Sequence, residues 1–171
     1  MNYASLKKND IANGSGVRVS LFVSGCRHRC KNCFNASAWD FNFGELFTSE
    51  QEDEIIMALS YDYISGLSLL GGEPLEPENQ AVLKDLVIRV KKELPDKNIW
   101  CYTGFAFEYI LEEMQDNEVL RDLISHIDVL VDGKFVEELK DIKLKFRGSS
   151  NQRVIDIPLS LATNQIVLKA L

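Results

Sequence analysis

Short apolar runs along the chain predict four strands and an added edge strand. VRVSLFVSG, residues 17–25, alternates so that every second residue, Val17 to Val23, lies on one face. Three further runs have the length and the boundaries of buried strands: GLSLL at 66–70, NIWCYTG at 98–104 and IDVLVDGKF at 127–135. RVIDI at 153–157 predicts the edge strand, which we expect to end at Pro158.

Between these runs the hydrophobic period changes to that of helices. TSEQEDEIIMAL, residues 48–59, begins with Thr48 or Ser49 as an N-cap and has Gln51 or Glu52 in the position of a capping box. The apolar spacing of 82–90 predicts a second helix that stops near Pro95. Residues 107–124 predict two helical pieces, broken near Asp116 and Asn117.

Strands and helices that alternate in this way are typical of right-handed crossovers and a mostly parallel sheet, so the fold class is α/β. With 171 residues, the chain suits one domain, 1–171. It is shorter than the roughly 250 residues of a complete eight-stranded barrel, which leaves a partial (β/α) barrel or an open sheet. The cysteine loop, GGEP, YTG and DGK each follow a different strand, so we expect these motifs to meet at the carboxyl edge of the sheet.

Charge and composition exclude several classes of partner. Asp and Glu total 26 against 19 Lys and Arg, a net charge of −7, which argues against a nucleic-acid-binding protein. No apolar segment is long enough for a membrane span, and the first residues lack the apolar region of a secretion signal. We therefore expect a cytoplasmic protein, in which the four cysteines bind metal or take part in catalysis rather than form disulfides.

Three of the cysteines lie close together in GCRHRCKNCFN, residues 25–35, in a C-x3-C-x2-C pattern. Structural zinc sites usually have four protein ligands in two pairs, and this group lacks a fourth. An iron–sulfur cubane held by three thiolates, by contrast, leaves one iron open to another ligand. The fourth cysteine, Cys101, falls within a strand and is expected to be inert core. His28, inside the loop, is not expected to be a ligand.

Several motifs together resemble a known family. The cysteine pattern followed by GGEP is similar to the signature of radical S-adenosylmethionine enzymes. More narrowly, the ordered motifs resemble the anaerobic ribonucleoside-triphosphate reductase activating proteins over about residues 2–155: NGSGVR, LFVSGC, LSLLGGEPL, DVLVDGKF and RGSSNQR. Ser15 departs from the family pattern, which usually has proline there. The tail, 156–171, lies outside the resemblance.

The resemblance implies a partial (β/α) barrel of the radical S-adenosylmethionine type and a glycyl-radical-generating activase. Cys26, Cys30 and Cys33 would be the catalytic residues and the three ligands of one 4Fe-4S cluster. The open iron would bind S-adenosylmethionine, whose reductive cleavage gives a 5'-deoxyadenosyl radical that abstracts hydrogen from a glycine of the large subunit of the reductase. The cofactor would supply the difficult chemistry while the protein binds and orients it.

Further candidate cosubstrate-binding residues follow from the same motifs. In GGEP, Gly71 and Gly72 would let the backbone approach a ligand, and Glu73 could accept a hydrogen bond from its ammonium, although GGEP alone is also an ordinary turn. The resemblance suggests that Asn32, Cys33 and Phe34 touch the adenosyl group. Three residues at later strand ends are weaker candidates, with solvated strand ends as the alternative: Thr103, Asp132 and Lys134.

Two local features suggest partners. Basic residues in the cysteine loop, Arg27 to Lys31, could attract a low-potential acidic reductant such as a flavodoxin, although loop tips are often charged because they are wet. The aromatics that follow are expected mainly in the core, with an apolar collar of Trp39, Phe41 and Phe43 that docks the reductase as the alternative. Two other functions stay open: a formate-lyase-type activase, which RGSSNQR argues against, and a non-catalytic zinc-binding interaction module.

Overall fold

The computed structural model describes every residue, 1–171, and builds a mixed α/β fold around one sheet. Its seven strands are β1 (Asn2–Asp10), β2 (Val17–Val23), β3 (Glu45–Leu46), β4 (Ile64–Gly71), β5 (Asn98–Tyr102), β6 (Val129–Asp132) and β7 (Arg153–Asp156). Its five helices are α1 (Ser49–Leu59), α2 (Pro77–Glu93), α3 (Phe107–Glu113), α4 (Glu118–Ser125) and α5 (Ile157–Thr163).

The helices begin where the sequence supplies caps. At α1, Thr48 accepts from the backbone of the first turn while the Gln51 side chain accepts from the Thr48 N–H at 2.9 Å, so the predicted capping box is confirmed. Asn117 caps α4 through Leu120 N, which explains the break between α3 and α4. Pro77 and Pro158 stand in the first turns of α2 and α5, where a missing N–H costs nothing.

The strand order is β3-β1-β2-β4-β5-β6-β7. The four central strands, β2, β4, β5 and β6, are parallel, as predicted, and their carboxyl ends share one edge. Antiparallel strands close both sides: β1 and β3 on one, β7 on the other. The sheet is therefore mixed, and the predicted edge strand at 153–157 is confirmed as β7.

One face of the sheet carries the main core. Alternate residues of the central strands, such as Leu21, Leu69 and Cys101, pack with side chains from all five helices in a cluster of 27 buried hydrophobic residues. Deep apolar burial of this kind is the dominant favourable contribution to folding. Cys101 is fully buried here, which confirms that it is core.

The opposite face has no helix against it. Its apolar cluster is only Trp100, Val129, Val131 and Val154, with Tyr102 and Phe146 packed beside it. Arg18, on β2, is fully buried on this face and donates to Ser68 Oγ at 2.7 Å, Leu67 O at 2.8 Å, Asn98 O and Ser15 O. Burial lowers the pKa of Arg18 to about 10, which still leaves it charged at neutral pH.

Three parts of the structure were not predicted: β1, the two-residue strand β3 that pairs with it, and the C-terminal tail. The strand β1 pairs with β2 through register shifts between Tyr3 and Ser5 and between Lys7 and Asp10, and these irregularities break the alternation that would reveal it. The C-terminal tail forms α5 and then returns to the sheet, where Lys169 N donates to Val154 O at 2.8 Å.

None of the helices has both the length and the apolar character that a membrane crossing requires.

Candidate functional site

A cavity of about 390 Å³ opens at the shared carboxyl edge of the parallel strands. It is lined by residues from the cysteine loop, from the ends of β4 and β5 and from the segment between β6 and β7. Among the predicted residues it brings together Cys26, Cys30, Cys33, Phe34, Gly71, Gly72, Glu73 and Thr103. The expectation that motifs after separate strands meet at one edge therefore holds for the cysteine loop, GGEP and YTG.

The three clustered cysteines are free thiols in this cavity. Cys26 is buried, whereas Cys30 and Cys33 are partly exposed. Burial raises the pKa of the Cys26 thiol to about 11, and it also raises the pKa of Cys30, with Cys33 adding to the effect and Lys134 opposing it. In the metal-free protein Cys26 and Cys30 are protonated near neutral pH, so their binding to a metal centre would release protons.

The base of the cysteine loop is held by protein contacts. Gly25 N donates to Ala38 O at 2.8 Å, and Glu73 N donates to Gly25 O at 2.8 Å. Arg27 pairs with the nearly buried Glu76 at 2.6 Å and with Glu78, and its backbone N–H also donates to Glu76. These contacts attach the start of the loop to the beginning of α2, independently of any metal.

Glu73 is buried, and four donors surround its carboxylate. Oε1 accepts from Leu75 N at 2.9 Å and from Thr103 Oγ1 at 2.8 Å, while Oε2 accepts from Gly104 N at 2.7 Å. His28 Nε2 lies 2.7 Å from Oε2, and its ring packs edge-on against Phe105. Glu73 therefore joins the cysteine loop to the ends of β4 and β5, and a cosubstrate ammonium would have to displace one of these donors.

The two glycines of GGEP are required by the protein itself. Gly71 has a φ of +107°, and a Cβ there would lie 2.7 Å from the backbone of Phe22. At Gly72 a Cβ would lie 2.6 Å from Gly25 O and 2.9 Å from Ala38 O. Close approach of backbone to backbone, and not only to a ligand, thus explains both residues.

The residues expected to touch an adenosyl group differ in placement. Phe34 lines the cavity while remaining 72% exposed, with Phe135 at 5.5 Å and the Lys140 ammonium 5.2 Å from its ring. Asn32 has a positive φ of 55° at the exposed tip of the loop and is not part of the cavity lining. The structure thus brings Phe34, but not Asn32, to the cavity.

The DGK motif is only partly at the cavity. Gly133 lines it, but Asp132 and Lys134 do not. Asp132 is buried, accepts from Phe107 N at 2.9 Å and pairs with Arg153, which also binds Glu108 at 2.7 Å. These contacts give Asp132 a structural role that links β6, β7 and α3. Lys134 lies close enough to Cys30 for its positive charge to oppose the rise in the pKa of that thiol.

The aromatic residues after the cysteine loop do not form a continuous exposed surface. Phe47 is buried in the main core, as expected. Trp39 and Phe41 are partly buried beneath Arg29 and Arg27, whose guanidinium carbons lie 5.7 Å and 4.5 Å from the two rings. Only Phe43 presents a substantial exposed fraction, 41%. Two basic residues of the cysteine loop, Arg27 and Arg29, are therefore engaged with the protein's own aromatic rings.

Sequence reasoning missed one wall of the cavity. This wall comes from the segment between β6 and β7 and contributes Phe135, Leu144, Phe146, Arg147, Gly148 and Gln152; Tyr102 at the end of β5 also lines the cavity. The segment lacks helical or strand periodicity, so only the RGSSNQR motif could have indicated it. Its position depends on long-range contacts, such as Phe146 against Trp100 at 5.4 Å.

The donor set fits an iron–sulfur cluster better than a single metal ion. No three His, Cys, Asp or Glu side chains converge closely enough to hold one ion. The three thiols instead line one cavity, which is compatible with each binding a different iron of a cluster, and no fourth cysteine lines it. The arrangement of these donors therefore disfavours a zinc knuckle, which needs four ligands around one point.

Comparison with known proteins agrees with this chemistry. Residues 12–155 match the family model of a 4Fe-4S single cluster domain. The chain is 48% identical over 154 residues to the anaerobic ribonucleoside-triphosphate reductase-activating protein of Vibrio cholerae, covering 89% of this chain and 96% of that protein. It is 47% identical to the protein of that name in Escherichia coli K12, covering 90% and 97%, and 42% identical to that of phage T4, covering 90% and 93%.

Proposed function

The chain belongs to the family of anaerobic ribonucleoside-triphosphate reductase-activating proteins, and from this premise we propose that it activates such a reductase by generating a glycyl radical on its large subunit. The observation that carries the proposal is the joint placement of Cys26, Cys30 and Cys33 with the GGEP turn around one cavity. Its relatives' names favour the reductase as partner over a formate-lyase-type enzyme.

Cys26, Cys30 and Cys33 would hold a 4Fe-4S cluster with one iron free for S-adenosylmethionine. When bound, the reduced cluster would supply the electron that cleaves S-adenosylmethionine to methionine and a 5'-deoxyadenosyl radical, which takes a hydrogen atom from the target glycine and leaves as 5'-deoxyadenosine. In a partial (β/α) barrel the helices cover the outer face of the sheet, and the inner face adjoins the site. The apolar cluster on the face beside the cavity contains no helix residue, which supports such a barrel interior as the setting for this chemistry.

The protein's own residues would orient the cosubstrate and exclude water. Gly71, Gly72 and Thr103 line the cavity beside the cysteines, and Phe34 would cover the adenosyl group from the mouth. Glu73 would act mainly by fixing the ends of β4 and β5, because four donors already occupy its carboxylate. Among the weaker candidates, Lys134 remains proposed through its charge and Asn32 through the loop tip, whereas the contacts of Asp132 support a structural role.

Electrons would arrive on the outer side of the cysteine loop. Arg29 and Lys31 are exposed there, with Lys31 in a longer, exposed ion pair of 3.4 Å with Glu138, whereas Arg27 is neutralised by Glu76 and Glu78. A groove lined by Cys26, Arg29 and Trp39 brings this surface to one of the proposed cluster ligands. An acidic low-potential donor such as a flavodoxin would therefore dock at Arg29 and Lys31.

The test uses protein purified and reconstituted without oxygen. We expect four irons and four sulfides per chain when loading is complete, release of 5'-deoxyadenosine on reduction and a glycyl radical signal from the reductase by electron paramagnetic resonance. The same mixture without S-adenosylmethionine is the control. Colourless protein that holds zinc, or cleavage that never yields a glycyl radical, would contradict the proposal.

A further inference from the structure

One side chain of the cysteine loop turns inward. Its basic neighbours, Arg27 and Arg29, are exposed, whereas the side chain of His28 is only 8% exposed and lines the cavity. His28 lies midway along the chain between two of the proposed cluster ligands, Cys26 and Cys30. A polar ring that solvent barely reaches requires a partner inside the protein.

The protein provides a fitted place for this ring. His28 packs edge-on against Phe105, with 4.5 Å between the ring centroids. At Gly104 a Cβ would lie 2.5 Å from His28 Cδ2 and 2.6 Å from Nε2, so only a glycine leaves room for the imidazole. Gly104 is the last residue of the YTG motif and follows the end of β5. The structure thus explains this glycine by the histidine that packs against it.

Inside the cavity the imidazole contacts Glu73, with 2.7 Å between Nε2 and Oε2. The other three hydrogen-bond partners of this carboxylate are all donors, from the GGEP turn and from the end of β5. A carboxylate surrounded by donors accepts, so His28 donates from its Nε2–H. His28 is the only one of the four donors that belongs to the cysteine loop. Its hydrogen bond therefore ties the loop to the wall that is proposed to bind the cosubstrate.

Two contacts that follow along the loop are weaker restraints. Lys31 pairs with Glu138 at 3.4 Å on the surface, where an ion pair contributes little. Cys33 N donates to Cys30 O at 3.2 Å within the loop itself and does not attach the loop to another segment. The hydrogen bond of His28, by contrast, is shielded from water and joins separate segments, so it restrains the stretch that leads to Cys30 more strongly.

We propose that His28 is a positioning residue: through Glu73 it holds the cysteine loop against the GGEP turn and the end of β5, and so sets the place of the cluster ligands relative to S-adenosylmethionine. This inference rests on the proposed function, because it assumes that the cluster and the cosubstrate share this cavity. The role requires no metal ligation by His28. Its loss should therefore leave the three thiols able to hold the cluster while the binding of S-adenosylmethionine weakens.

The experiment measures the iron content of the reconstituted protein and its affinity for S-adenosylmethionine, by equilibrium dialysis without oxygen. His28→Phe keeps a ring against Phe105 and removes the donor. For this variant we expect the iron content of the wild type and about tenfold weaker binding of S-adenosylmethionine, the size of one hydrogen bond to a charged group. His28→Gln has an amide that can donate to Glu73, so it should restore the affinity to within about threefold of the wild type.

A second measurement follows the loop in the metal-free chain. The main-chain amides of residues 27–32 should exchange hydrogen faster in His28→Phe than in the wild type or His28→Gln, because the loop has lost its buried attachment. His28→Ala, which places no side chain against Phe105, takes the place of His28→Phe in both measurements if the phenylalanine variant folds poorly.

Two further comparisons show whether His28 acts through Glu73. In a double-mutant cycle, His28→Phe should weaken binding by less than about twofold when Glu73→Gln is already present, because the partner is then altered. The second histidine of the chain gives the matched control: His126 donates from Nδ1 to Asp122 O at 2.7 Å at the end of α4, and His126→Phe should leave the affinity unchanged.

Four results would overturn the inference: unchanged affinity in His28→Phe, even with faster hydrogen exchange; loss of iron from His28→Phe; no recovery in His28→Gln; or losses that add fully with Glu73→Gln. A wild-type protein that holds a cluster but binds no S-adenosylmethionine would instead count against the proposed function.

Discussion

The two faces of the sheet differ in what covers them. On the helical face, 27 buried hydrophobic residues pack without interruption, and Cys101 is one of them. On the opposite face, neighbouring residues of the same strand, Trp100 and Tyr102, meet a small apolar cluster, a buried arginine and the cavity. A single strand thus contributes an inert thiol to one side and an unpaired hydroxyl to the other.

The difference separates stability from function. The helical face gives the apolar burial that holds the fold, so substitutions there should be felt as unfolding. The opposite face and the adjoining cavity hold most of the six unpartnered polar atoms, among them Asn98 Oδ1, Trp39 Nε1, Tyr102 OH and Arg147 Nε. Such atoms reduce stability, and a concentration of them beside a cavity is how functional sites commonly depart from good packing.

The largest expected effect is the loss of the cluster, which should distinguish the three cysteines at the cavity from the single cysteine in the helical core. Cys26→Ala, Cys30→Ala or Cys33→Ala should each abolish the cluster and the cleavage of S-adenosylmethionine, because three ligands are already the minimum. Cys101→Ala should leave both largely intact, since its thiol lies in the helical core. Iron and sulfide analysis with the visible spectrum checks this. A Cys101→Ala protein without a cluster would show that the assignment of ligands is wrong.

The next effect concerns the helical core. Leu86 is fully buried on α2, and Leu86→Ala should lower the free energy of unfolding by about 2–5 kcal/mol through lost burial and a cavity. Urea unfolding of the metal-free chain, followed by circular dichroism, measures it. The exposed Leu159→Ala on α5 is the matched control and should change little. A loss below about 1 kcal/mol at Leu86 would mean that this face does not dominate stability.

A smaller loss is expected from the buried arginine of the opposite face. Arg18→Met would leave Leu67 O, Asn98 O and Ser68 Oγ without this donor, at a cost of about 1–3 kcal/mol. Arg18→Lys should not restore the loss, because one ammonium cannot reach all these acceptors as a planar fork does. The same unfolding measurement applies. Full recovery of the free energy of unfolding in Arg18→Lys would show that the positive charge alone, and not the planar geometry of the guanidinium, stabilises this face.

The smallest effect should come from the unpaired hydroxyl. Tyr102→Phe removes an OH that has no partner, so stability of the metal-free chain should change by less than about 1 kcal/mol or increase. Cys101→Ser, one position earlier on the same strand, is the contrasting variant. It places a hydroxyl in the apolar core and should destabilise by about 1–3 kcal/mol. Equal losses in both variants would remove the distinction between the two faces.

The elements of the helical face could be predicted because their hydrophobic periods are regular. The alternation of Val17 to Val23 and the capping box at Thr48 and Gln51 are local signals, and both are confirmed. β1 lacked such a signal, since its pairing is interrupted by two register shifts. The tail of α5 could not be placed either, because its return to β7 depends on contacts formed only in the folded chain.

The location of the site could be predicted because the carboxyl ends of parallel strands lie at one edge of the sheet. The cysteine loop, GGEP and YTG follow parallel strands, so their meeting follows from topology. The roles of individual residues were less accessible. The four donors around Glu73 come from three segments, namely the cysteine loop, the GGEP turn itself and the end of β5, and the wall with Arg147 lies in a segment without periodicity. Arg18 sits at a position of β2 that alternation alone would assign to a wet face, whereas neighbouring loops bury it.

The attachment of the cysteine loop through Glu73, Gly25 and Arg27 has a consequence for repair. None of these residues is a proposed ligand of the cluster, so we expect the start of the loop to stay ordered when iron is lost. Rebuilding the site then costs little further conformational entropy of the chain. We therefore expect oxygen damage to remove the cluster from this protein without unfolding the chain. Recovery on return to anaerobic conditions would then be limited by the supply of iron and sulfide, not by new protein synthesis.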